Sequence, residues 1–174
     1  MNSGKNTPRL LGAAFLFVWV AFLLAFVLPQ TLLSGSMSDN LVNISNNLTL
    51  MRVSILVELV TSIGIVVLAV LLYVVLNKQN KIVALVALGW WLAEAITLAV
   101  SKLGAFALIP LSLEYVKAGA PDASYFQTLG TLFYGVDRWG YDIHMWFFCL
   151  GGILWYILFF RSKYIPRPYP CGAL

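Results

Sequence analysis

Four long stretches of the chain carry almost no charge: Leu10–Leu33, Val53–Leu76, Val83–Ile109 and Ile143–Phe160. Polar residues gather between them, so the chain reads as apolar blocks with polar punctuation. Each block approaches or exceeds the roughly 20 helical residues that cross a hydrocarbon core of about 30 Å. Lipid offers backbone groups no water, so a helix is the form expected of each block. The alternation of membrane-barrel strands is absent. The predicted fold class is therefore all-α: a polytopic transmembrane helix bundle with about four spanning helices. The first block is unbroken from Leu10 to Leu28, longer than the apolar core of a signal peptide, and is expected to be retained. Pro29 stands near its end, where it can bend or stop the helix.

The connections differ in character. Ser34–Leu50 is rich in Ser and Asn and reads as a solvated loop. Its two N-x-S/T triplets, Asn43-Ile44-Ser45 and Asn47-Leu48-Thr49, are of a kind that arises by chance in Asn-rich sequence. The segment Pro110–Tyr141 is too long for an inert connector. Within it Tyr125, Phe126, Leu129, Leu132, Phe133 and Val136 recur on one face of a helix, after a start signal at Pro121 and Asp122. A short helix in the outer interface, or partly re-entrant over the bundle, is predicted there. The expected organisation is one transmembrane domain over residues 1–174, with outer loops 34–52 and 110–142, a cytoplasmic turn 77–82 and a cytoplasmic tail 161–174.

Composition agrees with this pattern. The chain is 61% hydrophobic and 10% charged, with mean hydropathy +0.88, against about 45–50% and about 25% in soluble domains. That excludes a water-soluble enzyme, and an aromatic content of 14% excludes disorder. Basic residues fall at Lys5 and Arg9, at Lys78 and Lys81, and at Arg161, Lys163 and Arg167. With four spans these lie on one side, which the positive-inside rule makes cytoplasmic, placing both termini there, in the cell membrane. The net charge of +4 then reflects anchoring, and membrane lipid rather than nucleic acid is the expected partner. Tyr73, Tyr156 and Tyr164, and at the other face Trp139, Tyr141 and Trp146, read as interfacial belts. Cys149 in the last block and Cys171 in the tail fall on opposite sides of the bundle and are not expected to pair.

The usual constellations of catalysis and cofactor binding are missing. One histidine allows neither a bis-histidine haem site nor an H-E-x-x-H zinc pair, and no phosphate-binding glycine loop occurs. No cofactor and no metal are expected. Gly151-Gly152 reads as a helix packing point. What remains is the ionisable set inside the apolar blocks, which should face the bundle interior and find partners. Glu58 has Ser54, Thr61 and Ser62 on its own helical face. Glu94 is followed by Thr97, Ser101 and Lys102. The second and third helices run antiparallel, so both stripes point into the outer half of the membrane. The candidate polar cavity is thus Glu58 and Glu94 with Ser54, Ser62, Thr97 and Ser101, and with Arg52, Lys102, Asp142 and His144 at its mouth.

Short motifs add a resemblance. Arg9-Leu10-Leu11-Gly12 opens the first helix, Arg52 and Glu58 the second, and Leu72-Tyr73 precedes the basic turn. Glu94-Ala95 lies in the third helix, and Phe147-Phe148, Gly152 and Arg161-Ser162-Lys163-Tyr164-Ile165-Pro166-Arg167 close the fourth. In this order they resemble a bacterial and archaeal family of polytopic membrane proteins known as domain of unknown function 4386. The resemblance implies an architecture and no reaction. Where family members often carry Arg three residues before the third-helix Glu, this chain has Trp91, so no internal ion pair is expected there. Members usually continue into a further helix pair. This chain resembles a short member lacking it, whether naturally short or truncated.

Two classes of function stay open. One is binding, transport or sensing of a small solute, a proton or a lipid headgroup through an outward-facing polar cavity. The other is a structural or partner subunit, joined to other membrane subunits or to copies of itself, whose polar residues serve helix assembly. An intramembrane enzyme using His144 with Ser54, Ser62 or Ser101 ranks behind both.

Overall fold

The structure is a computed structural model that describes residues 3–120 and 124–162, with side chains from Arg9 onward. These residues form five helices and no strand: α1 (Ser3–Gln30), α2 (Met37–Asn46), α3 (Leu48–Leu76), α4 (Lys81–Lys117) and α5 (Ser124–Ser162). Four of them, α1, α3, α4 and α5, are long and apolar enough to cross a membrane. The protein is an all-helical multi-pass membrane protein. Leu16, Ile63, Leu103, Trp146 and Phe160 project outward, an apolar coat that suits hydrocarbon and not water. Cys149 is exposed among them; Cys171, Tyr164, Lys163, Arg167, Pro121 and Asp122 lie outside the described residues.

The first connection is not a solvated loop. Residues 37–46 form α2, with Leu41 and Ile44 fully buried. Ser36 caps it: its Oγ accepts from the Asp39 N–H at 3.2 Å, and Asp39 Oδ2 accepts from the Ser36 N–H at 3.2 Å. This reciprocal capping box starts a helix whose four apolar positions, Met37, Leu41, Val42 and Ile44, are few enough to be hidden by the surrounding Ser and Asn. At the second connection, the expected helix over Tyr125–Val136 is present but does not stop: it runs unbroken into the fourth long helix as α5. α4 likewise passes through Pro110 to Lys117. At 1.5 Å per residue α4 and α5 are about 55 and 58 Å long. Both exceed the hydrocarbon thickness and carry the fold beyond it at the end remote from the α3–α4 turn.

Burial divides the interior into two apolar clusters. Leu11, Leu72, Leu76, Ala84, Leu98, Trp155 and Leu158 gather toward the α3–α4 turn. Leu32, Leu41, Ile44, Met51, Leu108 and Tyr115 gather at the other end, under α2. Glu58, Ser62, Ser101, Lys102 and His144 are buried in the interval, and Glu94 at the margin of the first cluster.

The helix seams are unequal. α4 and α5 pack along most of their length, and glycines permit it. A Cβ added at Gly104 would meet the backbone of Phe133 and Asp137, one at Gly140 the Ser101 side chain, and one at Gly151 the Trp91 indole. Gly152, beside it, has open space. α1 packs closely on α3, where Gly64 admits Val18 and Phe17, and among the described residues its backbone comes within 8 Å (Cα to Cα) of no other helix. A cleft is therefore left between α1 and α5, floored by α3 and α4.

The α4–α5 seam yields a test. Gly140→Leu should destabilise the fold by about 1–3 kcal/mol, as overpacking does. Gly89→Ala, on a face with nothing within 4 Å, should be neutral or gain up to about 1 kcal/mol from helix propensity. Thermal unfolding of the purified protein checks the contrast; equal shifts for the two variants would contradict it.

Candidate functional site

Lys102 is the most deeply buried cation described, its side chain 3% exposed. Its Nζ is ion-paired to Glu58 Oε2 of α3 and lies 2.6 Å from Asp137 Oδ1 of α5. The backbone explains the second partner. Gly104 lets α4 approach α5 so closely that the Asp137 N–H lies against it, bringing a short carboxylate within reach of the ammonium. Three helices thus meet at one charge. A small cavity of about 80 Å³ adjoins the cluster, with Gln30, Arg138 and Tyr141 on its wall. The guanidinium of Arg138 lies 5.7 Å from the Tyr141 ring centroid, a cation–π distance. Pro29 and Gln30, at the end of α1, line the same cavity. The ionic cluster therefore sits level with that end of the α1 span.

A second, larger cavity of about 250 Å³ lies deeper, between α1 and α5. Phe15, Val18, Trp19 and Phe22 of α1 face Met145 and Phe148 of α5 across it, and Thr61 and Trp91 belong to its floor. Its wall is apolar except at Glu94 and His144, which are only 4% and 2% exposed. Glu94 Oε2 is buried without a hydrogen-bond partner. The Nδ1 of His144 bonds the carbonyl of Tyr141. A carbonyl can only accept, so Nδ1 carries the proton. The two cavities share Thr61 and Phe22 and so adjoin each other.

The sequence-predicted residues separate between these places. Glu58 and Lys102 meet in the ionic cluster. Glu94 and His144 line the deeper cavity, so the two glutamates do not occupy one common cavity. Arg52 and Asp142 are exposed and line neither cavity. Thr97 is half-buried. The hydroxyls do not serve the carboxylates: Ser54 donates to Met51 O and Ser101 to Leu98 O, each at 2.8 Å. Ser62 donates across to the Ala95 carbonyl of α4 at 2.5 Å, tying α3 to α4.

Asp137 is the residue that sequence reasoning missed. A signal was available: Phe133, Asp137, Gly140, Tyr141 and His144 continue a single helical face. A boundary drawn before Ile143 cut that face in two. Trp91, where the resemblance expected Arg, stacks on Phe148 at 6.1 Å and donates its Nε1 to the Phe148 carbonyl at 3.3 Å. It offers Glu94 nothing. Among the described residues no three His, Cys, Asp or Glu side chains are grouped to hold a metal ion.

The sequence matches the family described as domain of unknown function DUF4386 over residues 10–173, nearly the whole chain. The protein belongs to that family. No curated protein and no solved structure matches it.

Removing one member of a buried ion pair strands the other, at about 3–5 kcal/mol, whereas replacing the whole group by apolar residues is often neutral or stabilising. Lys102→Met alone should therefore lower the melting temperature markedly. Lys102→Met combined with Glu58→Leu and Asp137→Leu should recover most of the loss. A triple variant no more stable than the single one would show that the three charges do not act as a unit.

Proposed function

We propose that the protein binds a small lipid-soluble molecule that enters sideways from the bilayer, through the cleft between α1 and α5. The observation that carries this reading is the unsealed seam. α1 turns a continuous stripe of Phe15, Val18, Phe22 and Phe26 toward the cleft yet brings its backbone close only to α3 among the described residues. Ligand sites between the helices of bundles are mostly apolar, with few polar groups to fix orientation, and Glu94 with His144 fits that description. The deeper cavity also exceeds the apolar cavity of about 150 Å³ that accommodates benzene.

The ionic cluster supports a second role, in assembly. The Lys102 ammonium is matched by Glu58 and Asp137, so this group holds α3, α4 and α5 in register as interhelical glue. Assembly and ligand binding then fall to different residues of one chain. The protein resides in the cell membrane with the α3–α4 turn on the cytoplasmic side, a reading supported by Lys78 and Lys81 at that turn and Arg161 at the same end of α5.

Two measurements test these readings. A cysteine introduced at Gln79 should resist an impermeant thiol reagent added outside intact cells, while one at Ser36 should react; labelling at Gln79 would reverse the orientation. In vesicles, a medium-chain alcohol bearing a diazirine should label Met145 and Phe22 saturably, with competition by unlabelled alcohol. Leu16 and Ile63, on the lipid face, should be labelled in simple proportion to the probe. Proportional labelling at Met145 as well would overturn the cleft as a binding site.

A further inference from the structure

α5 carries an apolar stripe on its outer surface that outlasts the membrane. Tyr125, Leu129, Leu132, Val136 and Trp139 follow one another at alternating steps of four and three residues. The same steps continue without a miss through Ile143 and Trp146 to Phe160. All of these positions are exposed except Leu129, which is half-buried. A mean step of 3.5 residues drifts around a straight helix by about 20° in every seven residues. Here it keeps its place, because Gly130, His144, Gly151 and Leu158, buried on the bundle side of α5, stand at multiples of the same seven. The outward stripe and the inward seam are wound together.

Within the hydrocarbon an exposed apolar side chain needs no partner, because lipid tails are as apolar as leucine. The outer part of α5 is in a different situation. Counting about 20 residues from Arg161 for a core of about 30 Å sets the outer boundary near Tyr141. That is level with the ionic cluster at Asp137 and with the end of α1. From there back to Ser124 the helix stands beyond the hydrocarbon, yet Tyr125 and Leu132 are 65% and 49% exposed. Every other exposed residue of this part that lies off the stripe, namely Ser124, Thr128, Thr131 and Arg138, is polar. A narrow apolar line with a 3.5-residue period beside polar surface is the seam of a coiled coil, not a coat for lipid.

We infer that this stripe is the interface between two copies of the chain, packed α5 to α5 in parallel about a two-fold axis along the membrane normal. Two copies inserted the same way hold their α5 helices parallel, and a two-fold contact sets the same patch against itself. The side chains suit that geometry. Parallel two-stranded coils favour β-branched residues at the first core position of each heptad and Leu at the second, three residues later. Along the stripe, the first set, containing Leu129 and Val136, is β-branched at three positions of five. The second set, containing Leu132 and Trp139, is β-branched at one of six. No stripe position is charged, so the two-fold axis brings no like charges face to face along the seam. The cleft lies on another face of α5, bordered by Tyr134, Tyr141 and Met145. Pairing along the stripe leaves it open, whatever it binds.

Cysteine cross-linking of the full chain in native membranes tests the interface, with Cys149→Ser and Cys171→Ser as background. Single cysteines at Leu132, Val136 and Trp139 should oxidise to a disulfide-linked dimer with about five-fold or greater yield than cysteines at Thr131, Tyr134 or Arg138. Adding Leu132→Glu to Trp139→Cys sets like charges across the seam and should lower the dimer yield about five-fold. Thr131→Glu in the same background should leave it unchanged. Should the glutamate variant fail to accumulate, the cysteine profile alone decides. An even profile, a peak at Thr131 and Arg138, or no dimer at any position would overturn the inference. Cross-linking from Leu132 and Val136 to a different protein, in place of the dimer, would assign the stripe to another partner and overturn it as well.

Discussion

A lysine ammonium buried where lipid excludes water has to be neutralised by the protein itself, and Lys102 imposes that condition on the whole bundle. Its two carboxylates come from different helices, so α3 and α5 must both turn a particular face to α4 at the same depth. Helix rotation and axial register are fixed together. The glycines on either side of this point follow from it. Asp137 is a short side chain, and it reaches Lys102 only because Gly104 and Gly140 let the α4 and α5 backbones come close. The two apolar clusters above and below supply the bulk of the burial, but packing of Leu and Ala does not by itself choose one register over another. The charge does.

What the charge organises also determines what it leaves out. α1 contributes no member to the ionic cluster and, among the described residues, brings its backbone close to α3 alone. Its phenylalanines consequently face α5 across open space. The same bundle that is tightly joined along α4–α5 is loosely closed on the α1 side, and both cavities lie along that weak seam. Thr61 and Phe22 line both, so the cavity beside the ionic cluster and the one that holds Glu94 are neighbours along that seam. The cleft is a result of how three helices are locked together while the fourth is not.

The sequence makes the long helices legible because their signal is composition over twenty or more residues, which local detail cannot obscure. It makes α2 illegible for the converse reason: four apolar positions among Ser and Asn were outweighed, although the Ser36-x-x-Asp39 spacing marks a helix start. The amphipathic stretch before the fourth block was readable, but not its continuity with that block, since polarity changes at Tyr141-Asp142 without any break in the helix. That one boundary hid Asp137. The partners of Glu58 and Glu94 were misread for a different reason. Ser and Thr at i+3 and i+4 share a face with a carboxylate, but in a helix their hydroxyls find a carbonyl three or four residues back more readily. Ser54, Thr61 and Ser101 each do so.

Lys102 and Glu94 stand eight residues apart on one helix, about 12 Å along its axis, and their circumstances differ completely. Every charge of the Lys102 cluster has an opposite charge in contact, the arrangement expected when polar groups serve to join helices. Glu94 has no such partner, and its neighbours Trp91 and Thr61 spend their donors elsewhere. Its carboxyl therefore ties no helix to another, and its role is separate from that of the Lys102 cluster. Assembly accounts for the first group and gives no reason for the second. A buried polar group that joins no helices yet lines a cavity between them fits a place for binding rather than for assembly.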